Sequence, residues 1–331
     1  MKKLLTSLAF AVLALSAIQA QTIRIATQSP LSGGSSVMGE QIKLGAQLAL
    51  EEAQARFQSL GATRARAAYH HQGSPAVGGA NASRILKDTT ILGLVGHYNS
   101  GVAIPASEVY NRAGLVMVSP ANVSEVITDR KLPTVNRICG RNDVQGPAAA
   151  EFAIKDLKAK KIFVIHDKTA YGQGLAEQFR KKVGELGVPV PGNAFLGTEE
   201  KSNFIPVITQ LMAFQPDLIY FGGMYEQIAP FTKQLRERGL KMPILSGDGL
   251  DSADYERLAG SANAANTYYT TVAGPVGVFP KAKAFLDKFK TRFGKNPEGF
   301  SVYAYDCANV LLAALESAIK ANGGKLPARE A

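Results

Sequence analysis

The sequence predicts an α/β fold made of two doubly wound parallel-sheet lobes joined by short crossings, on three observations. From residue 22 onward, short β-rich runs alternate with amphipathic helical stretches, the pattern of a parallel sheet with helices on both faces. The alternation halts at CGRNDVQGP and then restarts, which makes two similar units rather than one large sheet. Apolar runs also stop abruptly in small or hydroxyl-bearing residues: ILGLVG (91–96) ends in His97, Tyr98, Asn99 and Ser100, and LVMV (115–118) ends in Ser119, Pro120 and Ala121. Strand ends of that kind suit the mouth of a cleft, because open α/β sheets bind ligands beyond the carboxyl ends of their strands.

In order, MKKLLTSLAFAVLALSAIQA reads as a secretory signal peptide over residues 1–20: a basic start at Lys2 and Lys3, an apolar run from Leu8 to Ala17 too short to span a bilayer, and Ala20 at the cleavage point. No later stretch reads as long and apolar enough to span. TIRIATQ (22–28) is a strand. SPLSGGSSVMG is a loop, and EQIKLGAQLALEEAQARF is a helix with Ile42, Ala46 and Leu50 at helical spacing. ATRARAAYHH, ILGLVG and LVMVSP are further strands, separated by the helices GGANASRILKDT and IPASEVYNRAG, the latter beginning near Ile104–Pro105 with the proline in its first turn. In the second unit GPAAAEFAIKDL is a helix, KIFVIHD (161–167) a strand, and YGQGLAEQFRKKVGELG a helix closed by Gly187. A PVPGNAF strand, the helix NFIPVITQLMAF, the strand PDLIYFGG, the helix YEQIAPFTKQLRERG and the strand MPILSG follow. Two helices, FPKAKAFLDKFKTRFG and SVYAYDCANVLLAALESAIKANGG, end the chain. Crossings near 138–142 and 272–275 place residues 21–139 and 275–331 in lobe one and 140–274 in lobe two.

The 331 residues suit two domains, and 46% hydrophobic content supports a sizeable core. Net charge is +10, or +8 without Lys2 and Lys3. The Lys and Arg residues are spread along helical stretches such as FRKKVGEL rather than gathered in one arm, which argues against nucleic acid as a partner. Cys139 and Cys307 lie in apolar or Gly-flanked contexts and read as two buried thiols, with a disulfide between them as the alternative in an exported chain.

Candidate site residues follow from the strand ends. Asn99, Ser100 and Gly101 stand where a strand gives way to a helix, and a Ser hydroxyl with free N–H groups at a helix start suits a carboxylate; Ser100 as a plain helix cap is the competing reading. The SPANVS turn offers the carbonyl of Ala121, the amide of Asn122 and the N–H of Val123. In the second unit Tyr171, in HDKTAYG, is placed to reach across a cleft. Asp248, in SGDGL, is placed to balance an ammonium, although Asp-Gly alone is a turn signal. Tyr225, after GGM, is of the same kind. Enzyme signatures are poor. GHYNSG is not a G-x-S-x-G elbow, SGGSSVMG lacks the Lys of a phosphate loop, and His70–His71, His97 and His166 have neither metal-ligand spacing nor an adjacent nucleophile motif. No metal, cofactor or catalytic residue is expected.

Taken as an ordered set, SPLSGGSSVMGEQIKLGAQLALEEAQ, GHYNSGVAIPASEVYNRAGLVMVSPA, RICGRNDVQGPAAAEF, HDKTAYGQGLAEQF, DLIYFGG and YAYDCANVLLAAL resemble the leucine/isoleucine/valine-binding proteins, the type I periplasmic solute-binding proteins of ABC importers. The resemblance implies two lobes joined by a hinge that closes over one amino acid or related polar solute, with a membrane permease as partner; the signal peptide points to a periplasmic or secreted location, and a monomer is expected. It implies that Ser100 takes the ligand carboxylate, that the Ala121 carbonyl takes the ammonium, that Tyr171 closes from lobe two, and that Asp248 faces the ammonium where family members carry Glu. Three departures stand out. Val123 occupies the place of a Thr whose hydroxyl binds the ammonium, Met38 the place of an aromatic residue covering the ligand side chain, and the disulfide-bonded loop of some members is absent. Family chains also continue past KANGG with a third crossing that completes lobe two, so that completion is expected to be missing here. A sensory module for an amide or carboxylate is the alternative function.

Overall fold

The computed structural model describes residues 21–272, 276–278, 280 and 282–329. The signal-peptide segment 1–20 and most of the 272–275 crossing lie outside the described residues. The first unit runs β1 (Gln21–Ser29), α1 (Ser36–Glu52), α2 (Gln54–Gln58), β2 (Ala62–His70), α3 (Pro75–Lys87), β3 (Ile91–Gly96), α4 (Ser100–Arg112), β4 (Val116–Ser119), α5 (Val126–Asp129) and β5 (Val135–Arg137). The second runs α6 (Asn142–Lys155), β6 (Ile162–His166), α7 (Gly172–Glu185), β7 (Phe195–Gly197), α8 (Ile205–Phe214), β8 (Leu218–Gly222), α9 (Tyr225–Glu237), β9 (Ile244–Ser246), α10 (Ala253–Ala259), α11 (Ser261–Ala264) and β10 (Thr267–Tyr269). Helices α12 (Ala282–Phe293) and α13 (Gly299–Ala321) follow.

Each unit builds one five-stranded parallel sheet, ordered β2-β1-β3-β4-β5 and β10-β9-β8-β6-β7. Counted from its own first strand, the second order mirrors the first, so both lobes share one topology. The strand order reverses at β1/β3 and again at β6/β8, and loops at such points diverge to leave a crevice for a ligand. Strands β6 and β8 are buried at every position, as parallel strands covered on both faces must be. Phe204, Phe221 and Phe231 meet edge to face at 5.3–6.4 Å beneath this second sheet. Burying each contributes about 1.5–3 kcal/mol.

Several boundaries differ from the sequence reading. Helix α4 starts at Ser100, so Pro105 lies inside the helix, with its ring on the exposed side. Helix α6 likewise starts at Asn142, ahead of Gly146. The stretch PVPGNAF is a 3-10 turn at Gly192–Ala194 followed by only three strand residues, because Pro189 and Pro191 cannot donate to a ladder. Helix α13 does meet the length and composition of a membrane span, at mean hydropathy 1.2 over its apolar window. It packs along α1 and the first sheet, with Phe300, Ala304, Cys307, Leu311, Leu312 and Ile319 buried. Its apolar face is thus the core of lobe one. Cys139 and Cys307 are free and buried, and burial pushes the Cys139 thiol up to about 12.

Candidate functional site

The first half of the site hangs from β3 and β4. Asn99 is the N-cap of α4, with extended backbone (φ −81°, ψ 122°). Its carbonyl accepts from the N–H groups of Val102 and Ala103, at 3.1 and 3.0 Å. The N–H groups of Ser100 and Gly101 have no acceptor among the described residues, as at any uncovered helix start. The Ser100 hydroxyl is buried without a partner, and so is the Asn99 side-chain carbonyl. Ser100 is therefore not a side-chain cap; it is an orphaned donor at the positive end of a helix.

The neighbouring turn is held from within. Ser119 Oγ accepts from Asn122 N at 2.9 Å and donates to Asn122 Oδ1 at 2.7 Å. The same Oδ1 accepts from His97 N at 2.9 Å, and Asn122 Nδ2 donates to the Tyr98 carbonyl at 2.9 Å. The Asn122 amide thus clamps two strand ends together, with both acceptor sites of Oδ1 and one N–H of Nδ2 in use. The clamp fixes the turn that carries Ala121 and Val123. The Ala121 carbonyl and Val123 N–H keep no partner among the described residues, and the Val123 isopropyl is fully buried. Met38 is buried on the first turn of α1.

The second half hangs from β6, β8 and β9. Tyr171 precedes α7; its hydroxyl donates to Asp248 Oδ1 at 2.9 Å and accepts from Gly249 N at 2.8 Å. Asp248 is 4% exposed. Burial pushes its carboxyl up to about 6, against hydrogen bonds from Tyr171 and Gln145 that favour the ionised form. Both of those partners are neutral. The close packing requires Gly247: a Cβ there would lie 2.3 Å from Leu175 Cδ2 and 2.9 Å from the Tyr171 hydroxyl.

The lobes touch around this space. Tyr225 Oη donates to the Gly34 carbonyl at 2.5 Å, and Ser35 Oγ to Glu226 Oε1 at 2.6 Å. Tyr98 Oη donates to Met224 Sδ at 3.5 Å, and Gln178 Nε2 to Glu125 Oε1 at 2.8 Å. Burial first, then the negative charges of Glu226 and Asp248 across the gap, holds the Tyr98 phenol well above its ordinary range. A hollow of about 500 Å³ opens at the cleft mouth between Ser32–Ser35, Asn99, Asp167, Met224 and Glu226. Of the expected residues, Ser100, Ala121 and Val123 thus follow strands of the first sheet, Tyr171 and Asp248 follow strands of the second, and Tyr225 joins the lobes.

Tyr98, Asn142, Gln145, Met224 and Glu226 were missed by sequence reading. All five lie inside quoted stretches, but nothing in residue type distinguished them from loop or helix surface. The histidines serve structure. His97 is buried beside Gln28 and Tyr110 and stacks on His71 at 5.2 Å between ring centres. Burial holds His71 down to about 4 and His97 lower than its ordinary value by a wide margin. His70 accepts from Leu31 N at 2.7 Å and so fixes the loop before α1. Among the described residues no three His, Cys, Asp or Glu side chains gather as metal ligands would.

Comparison with known proteins agrees with this architecture. A family model described as periplasmic binding protein matches residues 22–331. An amino acid binding protein of Pseudomonas aeruginosa is 33% identical over 307 residues, covering 93% of this chain and 80% of its own. The Leu/Ile/Val-binding protein homolog 1 of Brucella abortus is 34% identical over 291 residues, covering 87% and 76%. The crystal structure of the leucine-binding protein LivK from Thermotoga maritima superposes with a TM-score of 0.81 at 29% identity, covering 93% of this chain and 85% of that one. The chain belongs to the periplasmic binding proteins, in the type I, branched-chain amino acid branch of that family.

Proposed function

We propose that the exported chain captures an amino acid, branched-chain or related, in the interlobe cleft and presents the closed form to the permease of an ABC importer. The observation that carries this reading is the pairing of opposites. The unpartnered Ser100 hydroxyl and the bare start of α4 stand on one lobe. A buried, cation-less Asp248 stands on the other. A zwitterion with its carboxylate on lobe one and its ammonium between Ala121 O and Asp248 satisfies both. Closure is stabilised because the ligand contacts both lobes only when they meet. The test is titration calorimetry of the mature chain with the common amino acids, in wild type and Ser100→Ala. Removing a hydrogen bond to a charged group costs about 1.5–3 kcal/mol, or roughly 10- to 150-fold in Kd. Unchanged affinity in Ser100→Ala would remove Ser100 from the site.

A further inference from the structure

The hollow at the cleft mouth is left with spare acceptors from both lobes. Lobe one supplies Asn99, the N-cap of α4 and the neighbour of Ser100. Its Oδ1 is buried and has no partner among the described residues. Lobe two supplies Glu226, in the first turn of α9. Its Oε1 accepts from Ser35 Oγ at 2.6 Å, while its Oε2 is buried and has no partner among the described residues. Both residues line the same hollow of about 500 Å³, a volume within the range of whole ligand pockets, about 300–1,000 Å³. Acceptors buried this way are costly unless something donates to them. The walls also carry more negative than positive charge, with Asp167, Glu199 and Glu226 against Lys201. Glu199 reaches outward to Lys168 at 3.6 Å. Burial pushes the Asp167 carboxyl up to about 6; hydrogen bonds from Thr169 oppose that shift and the negative charge of Glu226 adds to it. Met224, which accepts from Tyr98 Oη, gives the hollow an apolar wall beside these charges. An aliphatic side chain ending here would leave both spare acceptors without a donor. A methylene stem along Met224 with a cationic head satisfies them and offsets the charge.

We propose that this hollow is the subsite for the far end of the ligand, and that the ligand class is a basic amino acid whose side-chain ammonium or guanidinium donates to Asn99 Oδ1 and Glu226 Oε2. The proposal rests on the reading of the cleft as an amino acid site. Asn99 adjoins Ser100, so the subsite continues directly from the place assigned to the ligand carboxylate. Its two acceptors belong to different lobes, so the side-chain cation bridges the cleft a second time and favours the closed form.

The experiment is calorimetry of the full mature chain with lysine, arginine, leucine and norleucine, the last differing from lysine only in lacking the terminal ammonium. The tighter of lysine and arginine is expected to bind wild type at least tenfold more tightly than either leucine or norleucine. Glu226→Gln keeps a carbonyl for Ser35 and removes the charge. It is expected to weaken the basic ligand tenfold or more and norleucine less than threefold. Asn99→Ala is expected to weaken the basic ligand at least threefold and norleucine less than twofold. A wild-type preference below tenfold, or equal losses for basic and aliphatic ligands in both variants, would overturn the proposal and leave the amino acid reading standing. The wild-type comparison needs no variant, so it decides alone should a variant fail to fold. A wild-type chain that binds none of the common amino acids would overturn the amino acid reading itself, and this proposal with it.

Discussion

The two cleft edges share a topology but differ in how their polar groups are satisfied. On lobe one the Ser100 hydroxyl and the first N–H groups of α4 are left open, while Asn122 clamps the turn behind them. On lobe two Tyr171, Asp248 and Gly249 bond to each other, and what is missing is charge rather than a hydrogen bond. The contrast teaches that the open groups of lobe one are hydrogen-bond donors at a helix start. Lobe two holds a buried carboxyl whose hydrogen-bond partners are neutral.

The largest effect is expected from breaking the lobe-two side. Asp248→Asn removes the counter-charge of a buried ammonium and should weaken amino acid binding by about 3 kcal/mol or more. Calorimetry checks it, and a change below tenfold would contradict the assigned role. Ser100→Ala should follow at roughly 10- to 150-fold.

The pH dependence sharpens the comparison. An unfolded Asp titrates near 3.8 and buried Asp248 at about 6. The folded, ligand-free chain therefore binds the extra proton between those values. The corresponding stability is full below 3.8 and is lost as pH rises through about 6. An ammonium pairs only with the ionised form, so ligand-induced stabilisation should run the other way and grow from pH 4 to 7. Asp167 and Glu298 are also pushed up by burial, to about 6 and about 7. The decisive quantity is therefore the difference between wild type and Asp248→Asn in melting temperature against pH, with and without ligand. Parallel curves would refute the assignment.

Closure contacts should matter less. A Cβ on Gly34 would lie 2.7 Å from Glu226 Cγ. Gly34→Val should therefore oppose closure by about 1–3 kcal/mol, raising Kd without lowering the melting temperature of the ligand-free chain by a similar amount. Ser35→Ala removes one partly buried bond to Glu226 and should raise Kd by roughly 2- to 13-fold, in line with about 0.5–1.5 kcal/mol for one bond. A larger loss in Ser35→Ala than in Ser100→Ala would invert the ranking of clasp and binding site.

Much of the fold was legible because strand runs such as ILGLVG and KIFVIHD are apolar throughout, and punctuation by Gly and Pro separates them from amphipathic helices. Ser100 and Asp248 were legible as strand-end residues in motifs of known order. What escaped was partnering. Nothing local in SPANVS says that the Asn122 amide is spent on His97, twenty-five residues earlier in the chain. Nor does anything in CGRND say that Asn142 meets Val123 and Tyr171, because its neighbours come together only when the crossing folds. The start of α4 was misplaced for a related reason. Pro105 was read as a first-turn residue, yet its missing N–H sits within the helix where the exposed face tolerates it.

The central claim, that one lobe takes the anionic end of a zwitterion and the other its cationic end, is tested most directly with one-ended ligands. Competition calorimetry against leucine would use 4-methylpentanoate and 3-methylbutylamine on wild type, Ser100→Ala and Asp248→Asn. The account predicts that Ser100→Ala weakens the carboxylate and spares the amine, while Asp248→Asn weakens the amine and spares the carboxylate. Both variants weakening both ligands alike would contradict it.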